Sequence, residues 1–272
     1  MAELLKNQPN SSTVKPLAIE DMTASQCKVM NEKKGGLRGY DCPKCNNKGY
    51  YYTVNGMDFI AHECTCKPIR ADLNRIKTSR LGASLEKCTF SSFQTSTPLA
   101  RRMKELGEKF TQEAKNKSGK WLFAGGQPGS GKTHICTAVT GELLRSGFNA
   151  RYIIWNDETV KIKAKVLDAE AYSSLVEPLK HCDVLYIDDF FRTGFDETGE
   201  RKKPSPADAR LAFEIINHRY NQNESVTIIS SELSLDEIIA LDEGIGSRIN
   251  ERAKGFVMNI PNKSCYNFRL GR

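Results

Sequence analysis

From residue 121 onward, apolar residues gather into five short runs, separated by segments where they recur every three or four positions. The runs are Trp121 to Ala124, Ala150 to Trp155, Val184 to Ile187, Val226 to Ile229 and Phe256 to Ile260, the last closed off by Pro261. Runs of this length without polar alternation read as strands buried on both faces. Between them, Ile135, Ala138, Val139 and Leu143 recur at helical spacing until Gly147. Val160 to Leu179 reads as helical, broken by Pro178. Ala207 to Asn221 reads as a helix with Leu211, Phe213, Ile215 and Ile216 turned inward, followed by short helices over Leu235 to Leu241 and Ile245 to Lys254. Ahead of the first run, Leu99, Met103, Leu106, Phe110 and Ala114 make one apolar stripe on a charged segment, the pattern of a surface helix. Strands alternating with helices predict an α/β fold with a five-stranded parallel sheet covered on both faces.

The first third of the chain follows another pattern. Gly49 to Ala61 carries aromatic and β-branched runs around Asn55-Gly56, which predicts a β-hairpin turning at that pair. Cys42-Pro43-Lys44-Cys45 precedes the hairpin and Cys64-Thr65-Cys66 follows it, so its ends bring four thiols together. Four soft ligands in a closed site suit structural Zn²⁺; the alternative is a set of reduced, buried thiols. His62 is available as a substitute ligand, but the four thiols suffice. A module of about 30 residues buries too little to hold itself folded, and zinc would supply that free energy. The expected organisation is an N-terminal arm at 1–38, a zinc-binding module at 39–70, a helical connector at 71–87 and a globular domain at 88–272. Leu17 to Met22 has the pattern to open a short helix within the arm.

The totals change this picture little. A chain of 272 residues has room for one sizeable core plus a small module, and its net charge of +7 points only weakly to an anionic partner. No apolar run nears the ~20 residues that span a bilayer, and the first residues lack a signal-peptide core. A soluble, cytoplasmic protein is expected, with no membrane partner. The remaining cysteines, Cys27, Cys88, Cys136, Cys182 and Cys265, have no ligand spacing.

The chemistry is concentrated where the first buried run ends. Gly126 to Thr133 fits G-x-x-x-x-G-K-[ST], the P-loop, between an expected strand and an expected helix. The loop of Gly126 and Pro128-Gly129-Ser130-Gly131, with the helix start where His134 follows, would wrap the phosphates of ATP, the residues other than Pro128 through their backbone N–H groups. Lys132 reaches the terminal phosphates, and Thr133 offers a hydroxyl to Mg²⁺. Asp188-Asp189 closes the third buried run, as a Walker B strand does. Asp188 is expected to orient Mg²⁺ and Asp189 to polarise the attacking water.

Phe123 to His134 with Gly141 to Gly147, Cys88 to Phe93, Val184 to Asp189 and Gly246-Ser247-Arg248-Ile249-Asn250-Glu251-Arg252 together resemble the ATPase domain of the bacterial and phage helicase loaders DnaC and DnaI. The resemblance covers about 88–272 and implies an AAA+ core without a C-terminal lid. It implies an ATP-dependent loader that binds a hexameric DnaB-type replicative helicase and places it on single-stranded DNA. It makes Arg248 an arginine finger reaching a neighbour's γ-phosphate, so subunits assemble into a ring or spiral. Arg252 supports that finger, and Arg219 lies near the same interface. Relatives tend to end the fourth strand's polar run in Asn; here the run is Ser230-Ser231-Glu232, and phosphate sensing is assigned to Ser231. Asp189 stands where broader AAA+ enzymes use Glu, which implies slow turnover. Lys161, Lys163 and Lys165 fall where initiator-type AAA+ proteins line a DNA channel, with Phe190, Phe191 and Phe195 as stacking platforms. A transposition helper like IstB shares this core, and a non-hydrolysing adaptor is a third reading.

Overall fold

The computed structural model describes residues 19–38, 40–71, 82–199 and 201–270. Readings that fall on residues 1–18 of the arm and 72–81, most of the connector, lie outside the described residues. The chain divides into two compact units, one ending at Lys67 and the other beginning at Pro68.

In the first unit, α1 (Ile19–Glu32) precedes an antiparallel hairpin of β1 (Tyr50–Asn55) and β2 (Asp58–Glu63). Asn55 pairs with Asp58, so the two-residue turn is Gly56-Met57, one position later than the Asn55-Gly56 pair. Gly56 takes the positive φ of 61° that the first turn position demands. The helix docks through Asn31, whose side chain exchanges two hydrogen bonds with the Tyr52 backbone at 2.8 and 2.9 Å. Lys48 donates to the carbonyls of Met30, Asn31 and Lys33 at 2.7–2.9 Å, so one ammonium caps the end of α1. Residues 19–32, expected within an arm, are thus a helix bonded to the hairpin.

In the second unit, α2 (Gly82–Lys87) and α3 (Pro98–Lys115) lead into the sheet. Thr97 caps α3 by accepting from the Ala100 amide at 3.1 Å, with Pro98 in the first turn. Strand and helix then alternate: β3 (Leu122–Gly126), α4 (Lys132–Arg145), β4 (Ala150–Ile154), α5 (Trp155–Lys163), α6 (Ala169–His181), β5 (Val184–Asp188), α7 (Pro206–Tyr220), β6 (Val226–Ser230), α8 (Leu235–Leu241), α9 (Glu243–Arg252) and β7 (Val257–Ile260). The five strands lie in the order β4-β5-β6-β3-β7, all neighbours parallel. This is the five-stranded parallel α/β sheet that the apolar runs predict.

Period-two alternation sorts the strand residues between two cores. Trp121, Phe123, Leu185, Ile187 and Ile229 pack on one side. Leu122, Ala124, Val184, Tyr186 and Ile228 pack on the other, against α4. Both faces are covered, which is why each strand reads as a continuous apolar run.

Several local expectations change. Trp155 begins α5 rather than ending β4, and its ring packs edge-on to Phe190 with centroids 4.9 Å apart. Pro178 lies inside α6 without ending it. The helix break falls earlier, at 164–168, where Asp168 caps α6 by accepting from the Ala171 amide. Phe213 is 40% exposed instead of inward, because it stands under the guanidinium of Arg248 at 5.1 Å.

Arg219 is neither a surface nor an interface arginine. It is wholly buried and donates to Thr227 Oγ1 (2.9 Å) and to the carbonyls of Leu179 (3.1 Å), Cys182 (2.9 Å) and Val226 (2.7 Å). One guanidinium thus satisfies the last turn of α6 and the starts of β5 and β6. Burial lowers its pKa, as it does for any cation removed from water.

Candidate nucleotide site and candidate metal centre

The strand order puts the C-terminal ends of β3, β5 and β6 side by side, the end of a parallel sheet where ligands bind. There the backbone turns sharply. Gly126 has φ of 102°, and a Cβ on it would come within 2.0 Å of the Ile260 carbonyl oxygen. Gly131, at φ 87°, is the N-cap of α4 and provides no side-chain cap, so the first amides of the helix are left for a ligand. The loop and helix start line a cavity of about 590 Å³ with Asp188, Asp189, Arg192, Ser230 and Glu232. Ser92, Phe93 and Gln94 form one wall, and Phe268 and Arg269 another. His134 faces the cavity, held by Phe93 edge-on at 5.1 Å and by the Thr89 carbonyl at 3.0 Å.

Lys132 lies back along its own loop. Its ammonium donates to the carbonyls of Gly126 and Gln127, both at 2.7 Å, and is almost fully buried. Desolvation pulls its pKa down to about 8, although Glu232, Asp189 and Asp188 act in the opposite direction.

Asp188 is the most heavily bonded carboxylate of the site. Oδ1 accepts from the hydroxyls of Ser230 and Thr133 and from the Asp189 amide, and Oδ2 accepts from Tyr152 at 3.1 Å. Burial raises its pKa, with Asp189 adding to the rise while the hydroxyl donors oppose it. Thr133 and Asp188, 3.3 Å apart, are a hydroxyl and a carboxylate, the hard oxygen donors that suit Mg²⁺.

Asp189 and Phe191 both adopt left-handed backbone, at φ 53° and 54°. Such residues are costly and cluster at functional sites. Here they turn Phe190 and Phe191 into the core, stacked at 4.1 Å, while Asp189 stays at the cavity. Neither phenylalanine is open to a base, which removes both from the expected stacking platforms; Phe195 is 62% exposed. Of the three lysines, Lys161 pairs with Glu158 at 2.9 Å and Lys163 with Asp208 at 2.7 Å. Lys165 is exposed.

Ser231 does not line the cavity. Its hydroxyl donates to the Phe190 carbonyl at 2.7 Å and accepts from the Leu233 amide at 3.0 Å, tying two turns together. Ser230 takes the place expected of it. The signal was in the alternation: Val226, Ile228 and Ser230 share the face of Val184, Tyr186 and Asp188, in register. Tyr152 lies opposite Tyr186 on that same face, which brings its hydroxyl to Asp188. Arg248 and Arg252 lie outside the cavity, on α9. Arg248 donates to Asn217 Oδ1 at 3.0 Å and to the Gly244 carbonyl at 2.7 Å. Arg252 donates to the Tyr220 carbonyl and stacks on that ring at 5.2 Å.

In the first unit, the sulfurs of Cys42, Cys45, Cys64 and Cys66 lie within 4.8 Å of one another, and all four residues are buried. The pairs Cys42–Cys64 and Cys45–Cys66 stand 3.7 and 3.5 Å apart. A tetrahedron with Zn–S bonds of about 2.3 Å has edges of about 3.8 Å, so the cluster fits a closed structural zinc site. Burial opposes ionisation of Cys45, yet the Gly49 amide and the neighbouring sulfurs outweigh it and bring the pKa down to about 6. His62 is engaged elsewhere, 2.7 Å from Thr53 Oγ1 and stacked on Tyr51.

The pKa of Lys132 makes ligand binding pH-dependent. Its folded value lies below its ordinary 10.5, so between about pH 8 and 10.5 the unfolded chain binds more protons, and this group makes stability rise with pH across that window. A polyphosphate drawn beside the ammonium reverses the shift. ATP binding at pH 8 is expected to take up roughly half a proton, and at pH 6.5 none from this group. Calorimetry in two buffers of different ionisation enthalpy checks it; equal apparent enthalpies at pH 8 contradict it.

Comparison with known proteins places this geometry. Residues 48–249, well over half the chain, match the model of a family described as IstB-like ATP binding protein. The phage-like element PBSX protein XkdC of Bacillus subtilis (strain 168) is 28% identical over 231 residues, covering 81% of this chain and 82% of that protein. Among solved structures, the DnaC helicase loader aligns with a TM-score of 0.54 at 19% identity, over 66% of this chain and 99% of that one. DnaI aligns at 0.51 and 18% identity, over 66% of this chain and 94% of that one. These two likenesses carry the fold, while the family match spans the P-loop and the Asp188-Asp189 strand: the chain belongs to the IstB-like ATP binding protein family.

Proposed function

We propose that this chain is an ATPase that works as a helicase loader, binding a hexameric replicative helicase and placing it on single-stranded DNA. The observation that carries the enzymatic part is the convergence of Lys132, Thr133, Asp188 and Asp189 on one cavity at the ends of β3 and β5. Bound Mg·ATP would supply the reactive phosphoanhydride and the metal's charge neutralisation. The first amides of α4 and the Lys132 ammonium hold and neutralise the phosphates. Thr133 and Asp188 would hold the metal, with Asp188 itself fixed by Ser230 and Tyr152. Asp189 accepts the proton of the attacking water.

Arg248 would act from a neighbouring subunit. It lies on α9, away from its own chain's cavity, and a head-to-tail contact repeated through it builds a ring or open spiral. The likeness to the DnaC helicase loader and to DnaI supports helicase as the cargo. The IstB-like family match favours one second reading, a transposition helper whose target is a transposase.

The test is capture by immobilised replicative helicase, with and without ATP, against a parallel arm with an IS21-type transposase. Retention on the helicase, strengthened by ATP, is expected, and it is to be followed by loading of the helicase onto a circular single strand. Retention on the transposase alone selects the second reading.

A further inference from the structure

Glu232 stands where the sequence led us to expect a neutral polar residue, and it is not idle. Its side chain is only 17% exposed and holds two arginines: Oε1 lies 3.3 Å from Nε of Arg192, and Oε2 lies 3.2 Å from Nη1 and Nη2 of Arg201. Arg192 in turn reaches Asp189, with Nη1 to Oδ2 at 2.8 Å. The two carboxylates therefore hold different parts of one guanidinium. Glu232 has the Nε, close to the stem; Asp189 has a terminal nitrogen.

We propose that Arg192 is a phosphate-contacting residue of the same subunit, anchored through its Nε by Glu232 while its terminal nitrogens exchange Asp189 for the γ-phosphate of ATP. The inference rests on the ATPase reading above. Arg192 and Glu232 line the cavity together with Lys132 and Asp189, so no change of backbone is required to bring the guanidinium to a ligand there. The pair it must give up is weak. Arg192 is 53% and Asp189 33% exposed, so solvent screens the attraction between them. A phosphate accepting two guanidinium hydrogen bonds is the stronger partner.

The exchange has two consequences. It puts a positive charge beside the oxygens that gain negative charge during transfer. It also releases Asp189 Oδ2, which can then accept a proton from the attacking water. No bond is made or broken by Arg192 itself. Before the triphosphate arrives, Arg192 competes with water for Asp189 Oδ2, and the γ-phosphate removes that competitor by drawing the guanidinium away. ADP has no γ-phosphate to draw the guanidinium away. Glu232 has the chemistry for this anchoring role, because an ionised carboxylate accepts hydrogen bonds and cannot donate one to phosphate.

The experiment compares the full-length chain with Arg192→Ala, Arg192→Lys and Glu232→Gln. Equilibrium affinities for fluorescent ATP and ADP analogues and single-turnover hydrolysis are measured on each. Arg192→Ala is expected to lose about tenfold in ATP affinity with ADP affinity within about twofold of the parent, and to hydrolyse about 10²-fold more slowly. Arg192→Lys keeps the charge but has no Nε for Glu232, so part of the ATP preference returns and little of the rate. Glu232→Gln falls between parent and Arg192→Ala. Unchanged melting of the nucleotide-free variants separates these effects from misfolding. An Arg192→Ala chain that keeps the parent's ATP-over-ADP preference overturns the proposal. So does one that hydrolyses faster, which would make the contact with Asp189 a brake and nothing more. If the parent binds both nucleotides but never hydrolyses ATP, the ATPase reading fails, and the ATP-to-ADP ratio still decides the role of Arg192.

Discussion

Lys132→Ala is expected to abolish hydrolysis and to remove the rise in melting temperature that ATP gives the parent. The effect is electrostatic. Asp188, Asp189 and Glu232 all face the cavity, and a polyphosphate entering it meets three carboxylates. The almost fully buried ammonium of Lys132 is the cation set within the phosphate loop itself. Removing one partner of a buried charge pair costs ~2–5 kcal/mol, a weakening of about 30-fold to several thousand-fold in affinity. The nucleotide-free variant loses two hydrogen bonds to loop carbonyls, but it also loses a desolvated charge, so its own melting temperature should move little. Titration with a fluorescent nucleotide measures the effect. A variant that binds ATP within a factor of three of the parent would remove Lys132 from the phosphate site.

The second large effect concerns the first unit. Stripping metal from the full-length chain, or replacing Cys45 with Ser, should unfold the hairpin and leave the second unit's melting transition in place. The hairpin cannot hold itself together, because Tyr50, Val54, Phe59 and Ile60 are all more than a third exposed. Even with α1 bonded to it, a two-stranded hairpin with so little covered apolar surface is marginal in water. Its buried cluster consists of the four cysteines with Tyr40 and Tyr51 packed against them. Structural zinc in such modules supplies ~10–16 kcal/mol of apparent folding free energy at neutral pH. Elemental analysis should find one zinc per chain. Chelation should collapse the amide dispersion of the hairpin, and adding zinc should restore it. Retained cross-strand contacts in a chain shown to be metal-free would mean that the cluster is a set of buried thiols.

Much of the fold was legible because the residues involved answer to local rules. The five apolar runs appear as β3 to β7, since a strand covered on both faces cannot alternate polar residues with apolar ones. The P-loop was readable because its glycines are demanded by the backbone itself. What local rules missed were side chains whose neighbours are remote in sequence. Pro178 looked like a helix breaker, but the neighbours packed on α6 carry the helix through it. Phe190 and Phe191 looked like exposed rings beside an active site until the left-handed turn at Asp189 put them in the core. Arg219 was expected near a subunit interface, and its guanidinium is instead spent on the Thr227 hydroxyl and on carbonyls from three segments.

Near the nucleotide site the division is just as sharp. Four of the residues proposed to hold phosphate, metal and the attacking water belong to two short motifs, and each motif is contiguous in sequence, so spacing alone marks Lys132, Thr133, Asp188 and Asp189. The residues that tune them come from elsewhere: Tyr152 from β4, Ser230 and Glu232 from the end of β6, Arg192 from the turn after β5. Their roles depend on the strand order β4-β5-β6-β3, which no single strand encodes, and on register, which decided between Ser230 and Ser231 by one residue. Local propensity and motif spacing are short-range properties of the chain, and they determined the elements, the P-loop and the four-thiol cluster. Which carboxylate is buried, which arginine it holds and which hydroxyl reaches it are properties of packed surfaces, and only the assembled sheet decided them.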